Sequence, residues 1–225
     1  MHPPVSHVPR YHGSVGLIND DALVLDSRRY RDRHLLLTLL TSRSGVYRGV
    51  LRRARGGKAP QAAAAQILSL VHVTGAISRR AELATFHRLD LVASSYPLAA
   101  DLARSTAAAV VAELLTTFCP PEEPAPRRFR LGVSMLRGLL SGCDADTVVA
   151  YAQFWVLSLG GVFADPDEPG WGEPEVGFLA GCRQAPITEL TSRVPDLVVR
   201  WLDWKVRSEA ERPLLALDFF RSVRR

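Results

Sequence analysis

Hydrophobic and polar positions alternate along roughly the first ninety residues of this chain and then change to helical spacing. Residues 22–27 (ALVLDS) are apolar and rich in strand formers. Residues 34–41 (HLLLTLLT) fit a strand or a helix by pattern alone. Ser42, Arg43, Ser44 and Gly45 read as a turn, and residues 46–51 (VYRGVL) alternate well enough to form the second arm of a hairpin. Residues 67–74 (ILSLVHVT) alternate again, with Ile67, Leu70 or Val71, and Val73 inward, before a turn at Gly75. Residues 82–92 (ELATFHRLDLV) complete the set. Five short strands without intervening helices predict a small closed or partly open barrel over residues 20–93.

The pattern changes at Ser94-Ser95-Tyr96-Pro97, a serine-proline helix start. Residues 98–118 have the Ala and Leu density of a helix, which the prolines of 119–126 end. A second helix over 128–140 carries Phe129, Val133, Leu136 and Leu140 on one face. Asp144 or Asp146 caps a third, which runs to Leu159 and stops at Gly160-Gly161. Residues 165–181 read as an irregular Pro- and Gly-rich insertion. Two more helices follow at 195–208, with Val198, Trp201, Leu202 and Val206 on one face, and at 213–223. The fold class is α+β, all-β then all-α, with a helical domain over 94–225. Residues 1–19, rich in Pro, His and Gly, predict a flexible arm, in which His2, His7 and His12 belong to a loose tail rather than a metal site.

Charge sharpens this division. Residues 1–80 hold 13 Lys and Arg against four Asp, a balance of +9, whereas the remainder holds 15 against 19, a balance of −4. Within 28–58 stand ten basic residues and a single acid, Asp32. A basic barrel joined to an acidic helical half suggests a polyanion-binding module, because each Lys or Arg that meets a phosphate releases a counterion. Arginine suits phosphate through its planar two-donor fork. Arg29 and Arg31 have strand spacing, as do Arg53 and Arg55, so each pair could share a face. Tyr30 and Tyr47 lie among them as candidates for base stacking, with sheet packing as the competing reading.

Motifs of catalysis are missing. Gly56-Gly57-Lys58 is followed by Ala59 where a phosphate-binding loop needs Ser or Thr. Gly132-Val133-Ser134-Met135-Leu136 lacks the last glycine of a nucleophile elbow. Asp165, Asp167, Glu168, Glu173 and Glu175 read as a solvated acidic loop. Three cysteines, Cys119, Cys143 and Cys182, fit no disulfide framework. Neither a signal peptide nor an apolar run of membrane-spanning length is visible, so a cytoplasmic protein without membrane contact is expected.

The serial order of these features resembles the RecO family of recombination mediator proteins. The likeness rests on residues 22–25, 35–41, Gly45, the basic loop at 51–57, the strand at 67–73, Tyr96, and residues 151–163 (YAQFWVLSLGGVF). It implies an N-terminal OB-fold and a C-terminal helical domain. It further implies binding of single- and double-stranded DNA and annealing of complementary strands without catalysis. The partners implied are single-strand binding protein, a RecR-like protein and, indirectly, RecA. The DNA-binding residues would be Arg28, Arg29, Arg31, Arg33, Arg48, Arg52, Arg53, Arg55 and Lys58. Partner contacts would fall in a groove between residues 98–118 and 151–163. Many members carry a four-cysteine zinc knuckle after the core helix; here only Cys182 stands in that stretch, so no zinc and no other cofactor are expected. Two other readings remain open: an RNA-binding OB module with a helical adaptor, and an enzyme on a phosphorylated or nucleic-acid substrate using His34 or His87.

Overall fold

The computed structural model describes residues 15–31, 33–52, 60–78, 82–119, 123–165, 171–190 and 193–224. Five strands, β1 (Val15–Tyr30), β2 (His34–Thr41), β3 (Gly45–Leu51), β4 (Leu70–Ser78) and β5 (Ala84–Ala93), close into a barrel in the order β1-β2-β3-β5-β4. Neighbours are antiparallel except β3 and β5, which run parallel where Gly49, Val50 and Leu51 meet Ala84, Thr85 and Phe86. This is the OB-fold arrangement. A short helix, α1 (Pro60–Ala64), sits between β3 and β4 and contributes Ala64 to the barrel core.

β1 is long enough to pair with β4 over residues 15–23 and with β2 over residues 22–30. Between Val24 and Asp26 its register with β2 shifts, leaving Leu25 as the extra residue of a bulge. Leu23 and Leu25 join the core of the helical half and Val24 the core of the barrel, as the alternation of a strand dictates. In β2, Leu35, Leu37 and Leu39 face the barrel interior, and Leu40 is buried on the other side against the helices. A strand covered on both faces loses clean alternation, which is why its pattern alone did not separate strand from helix.

The helices are α2 (Leu102–Phe118), α3 (Pro126–Leu140), α4 (Ala145–Leu159), α5 (Glu173–Gln184), α6 (Asp196–Glu209) and α7 (Leu215–Val223). Asp101 caps α2 by accepting from the Arg104 N–H, and Asp144 caps α4 by accepting from the N–H and hydroxyl of Thr147. The start of α7 is capped from another helix: the N–H groups of Ala216 and Leu217 donate to the Glu113 carboxylate of α2. α4 is apolar nearly all round, with Val148, Ala150, Phe154 and Leu157 buried, as suits a central helix. α3 approaches the barrel at Gly132, where a Cβ would stand 2.5 Å from Leu23 Cδ1 and 2.8 Å from Leu115 Cδ1. The motif that failed as a nucleophile elbow is thus the seam between α3, β1 and α2.

Several expectations are corrected. Strand β1 starts at Val15, so residues 15–19 are not part of an arm; residues 1–14 lie outside the described residues. Gly75 lies within β4, at a register shift rather than a turn, and Ile67 precedes the strand and is exposed. The stretch 98–118 is broken at Asp101 into a 3-10 turn and α2. In α3 the buried face is Leu131, Met135, Leu136 and Leu139, and Leu140 points outward. Residues 173–184 form helix α5 where an irregular insertion over 165–181 was expected, and Pro174 fits because it occupies the first helical turn.

Barrel closure depends on a close approach. A Cβ on Gly49 would meet the Ala84 carbonyl oxygen at 2.6 Å and the Phe86 ring at 2.8 Å. Gly49→Val should therefore destabilise the chain by about 2–3 kcal/mol, as overpacking against backbone does. A urea melt with an unchanged midpoint would show that β3 and β5 can part without cost.

Candidate nucleic-acid interface

The hairpin of β1 and β2 turns at the rim of the barrel, and β3 ends at the same rim. Tyr30 pairs with His34, Arg29 with Leu35, and Leu35 with Leu51. This register gathers Arg29, Arg31, Arg33 and Arg52 at one barrel mouth, all exposed. From the rim a second group descends the outer face: Arg28 stands opposite Leu36, and Arg48 opposite Thr38, which in turn faces Asp26. Below it a groove of about 880 Å³ opens between the barrel and the helices, lined by Arg28 and Arg48 on one side and by Glu113, Thr116 and Arg212 on the other.

Ion pairing sorts these arginines. Arg28 holds Asp26 at 2.7 Å. Arg43, basic by sequence but not a candidate, clamps the β2–β3 turn to β1 by pairing with the buried Asp20, whose carboxylate also accepts from Ser42 and the Arg43 N–H. Among the described residues Arg29, Arg33, Arg48 and Arg52 make no salt bridge. Solvated cations with no carboxylate to satisfy are free to meet phosphates.

Other candidates are placed differently. Arg31 follows the end of β1 with φ 54, so it shares no strand face with Arg29; its guanidinium lies 5.4 Å from the Tyr30 ring centroid. Tyr30 thus has one ring face covered by a cation. Tyr47 is half-buried and packs against the barrel core. Arg53, Arg55 and Lys58 lie outside the described residues. His34 and His87 flank the end of β3 on opposite sides, a strand-width arrangement that separates them by on the order of 10 Å and does not suit a shared proton. His72 is held by Asp21 and Asn19 at 2.8 and 2.7 Å.

Sequence reasoning missed Arg88 on β5, paired with Asp90 at 2.7 Å, and Arg212 between α6 and α7. Neither sits in a run of basic residues, and only the fold brings Arg212 to the barrel. Where a partner groove between residues 98–118 and 151–163 was expected, Val110, Val111 and Leu114 of α2 are buried in one core with Val149, Ala152 and Phe154 of α4. A groove of about 520 Å³ lies instead between α3 and α4, with Arg127 and Arg130 above Leu131, Tyr151 and Trp155.

Among the described residues no group of three or more His, Cys, Asp or Glu is placed to hold a metal ion. Cys182 is fully buried, and burial pushes its thiol up to about 12. Burial likewise pushes Cys119 up to about 12. No described helix is long and apolar enough to cross a membrane.

Comparison with known proteins agrees with this geometry. Residues 15–95 match the family model "Recombination protein O N terminal", and residues 99–171 match "Recombination protein O C terminal". Proteins named DNA repair protein RecO are similar to this chain. The one from Koribacter versatilis is 30% identical over 149 residues, 66% of this chain and 61% of that protein. The one from Desulfitobacterium hafniense is 33% identical over 134 residues, 60% of this chain and 48% of that protein. The one from Bacillus pumilus is 29% identical over 153 residues, 68% of this chain and 59% of that protein. The matched part spans about half to three-fifths of these relatives.

Proposed function

Because this chain belongs to the recombination protein O (RecO) family of DNA repair proteins, we propose that it binds single- and double-stranded DNA through its barrel and anneals complementary strands. The observation that carries the reading is the set of exposed arginines, Arg29, Arg33, Arg48 and Arg52, which make no salt bridge among the described residues and stand at one rim and outer face of an OB barrel. Arg28 and Arg31 add to that charge, as would Arg53, Arg55 and Lys58 of the same basic run in the sequence, and Tyr30 offers a ring to a base. Neutralising two phosphate backbones lowers the barrier to bringing strands together, and no nucleotide need be hydrolysed. The reading is therefore of a non-enzymatic mediator, working in the cytoplasm.

Partners follow from the helical half. The α3–α4 groove has an apolar floor under Arg127 and Arg130, and the first turn of α3 carries arginines and no acid. Cations at the positive end of a helix repel the dipole, so an anionic partner relieves them. This suits an acidic peptide with an apolar end, and we assign the contact with single-strand binding protein here. A RecR-like partner and assistance in loading RecA complete the proposal.

The test is annealing of two complementary fluorescent oligonucleotides without ATP, with and without single-strand binding protein. Acceleration that survives the coating protein is expected. Binding without acceleration would favour an RNA-binding adaptor, and absence of binding at low salt would overturn the nucleic-acid reading.

A further inference from the structure

We propose that the exposed side of α6 is a second site for single-stranded nucleic acid, where arginines hold the backbone and Trp204 stacks a base. The inference rests on the reading of this chain as an annealing protein, and it lies in a part of the chain beyond residue 171, where the family models end. By overall charge this half is acidic, yet residues 193–225 hold eight Lys and Arg against five acids.

Two adjoining hollows carry the argument. The first, about 430 Å³, is walled by five arginines, Arg193, Arg200, Arg207, Arg221 and Arg224, against three aspartates. Arg207, Arg221 and Arg224 are spent on Asp218, Asp203 and Asp146. Arg193 and Arg200 are exposed and make no salt bridge among the described residues. The second hollow, about 260 Å³, is formed by Trp171, Leu197, Trp201 and Trp204, and Arg200 lines it too.

On α6, Leu197, Arg200, Trp201 and Trp204 recur at helical spacing on one stripe, while Val198, Leu202 and Val206 are buried. Trp201 is fixed by edge contacts with Trp171 and Phe163, at centroid distances of 5.8 and 5.5 Å. Trp204 is 59% exposed and meets no other ring among the described residues. An apolar partner surface would not need two exposed arginines beside it, and a simple anion site would not need the ring. Exposed cations next to an exposed indole are what a single strand requires, phosphates on one side and base faces on the other.

All four tryptophans, Trp155, Trp171, Trp201 and Trp204, lie outside the barrel, so their emission reports on this half of the molecule. The test titrates the full chain with oligothymidylate, following tryptophan emission together with the anisotropy of a labelled strand. Quenching is expected, with Trp204→Ala removing most of it. Arg193→Ala with Arg200→Ala should shift the quenching midpoint by about tenfold or more at low salt. A barrel variant carrying Arg29→Glu, Arg33→Glu and Arg52→Glu should still be quenched, which supports an independent site.

Rising anisotropy with unchanged emission, or quenching unaffected by Trp204→Ala, would overturn the proposal. So would loss of quenching in the barrel variant, since the tryptophans would then sense a strand held on the barrel. Inorganic phosphate or a mononucleotide quenching as strongly at equal phosphate concentration would replace the strand by a small anion. Absence of any binding by either signal would remove the barrel reading as well.

Discussion

The triple substitution Arg29→Glu, Arg33→Glu and Arg52→Glu is expected to weaken single-strand binding to the barrel by about a hundredfold or more at 50 mM salt. Each arginine that neutralises a phosphate contributes about 0.7 to the slope of log affinity against log salt for a single strand. Losing three should flatten that slope by about 2. The three side chains are exposed at the barrel mouth and hold no carboxylate among the described residues, so their removal leaves no buried partner unsatisfied. The fold should therefore survive, and the annealing rate should fall with affinity. The check is anisotropy of a labelled strand over a salt series, in a chain that also carries Arg193→Ala, Arg200→Ala and Trp204→Ala, beside a thermal melt. An unchanged slope with a native melt would take the rim out of the DNA-binding surface.

The second large effect is on stability. Arg221 donates from Nε and a terminal nitrogen to the two oxygens of Asp203, at 2.8 and 3.0 Å, and from its other terminal nitrogen to Asp146 at 2.7 Å. All three side chains are mostly buried, with exposures of 13–18%. Asp203 also accepts from Gln153, whose own oxygen is buried without a partner among the described residues. Arg221→Ala would leave Asp146 to Arg224 alone and Asp203 to Gln153 and the more distant Arg207, and should cost about 2–3 kcal/mol. Arg221→Lys should recover only part of it, since one ammonium does not reproduce the two-pronged contact. Urea unfolding measures both, and a loss below about 1 kcal/mol for the alanine variant would mean that water already compensates the aspartates.

The barrel was legible because its inward positions keep period two through Leu35, Leu37 and Leu39, and again through Val71 and Val73. Legibility failed where two cores compete for one strand or where a cap overrides composition. Residues 98–118 are uniformly rich in Ala and Leu, and only the side chain of Asp101 sets the true start of α2. Residues 173–184 read as irregular because of Pro174 and Gly177, yet burial of Phe178, Leu179 and Cys182 on one face stabilises them as helix. The face of α3 was misplaced because Gly132, lacking a side chain, lies at the centre of its contact and is silent in a hydrophobic pattern.

Of the site, the rim arginines were visible as a dense run. The same run hid a difference in role, since Arg43 is bound to a buried aspartate that lies 23 residues before it. Arg200 and Trp204 were invisible in a segment whose net charge pointed the other way, because averaging over a long acidic stretch erases a local basic stripe.

The double anchorage of β1 at Leu23, Val24 and Leu25 has a mechanical meaning. Since Leu23 and Leu25 anchor in one core and Val24 in the other, barrel and helices share a splint of continuous backbone rather than a tether. Two sites joined by a flexible linker meet at a local concentration that falls as the linker lengthens. Two sites on a common splint keep one fixed spacing, so strands held on them would be presented at a geometry written into the fold and indifferent to chain length elsewhere.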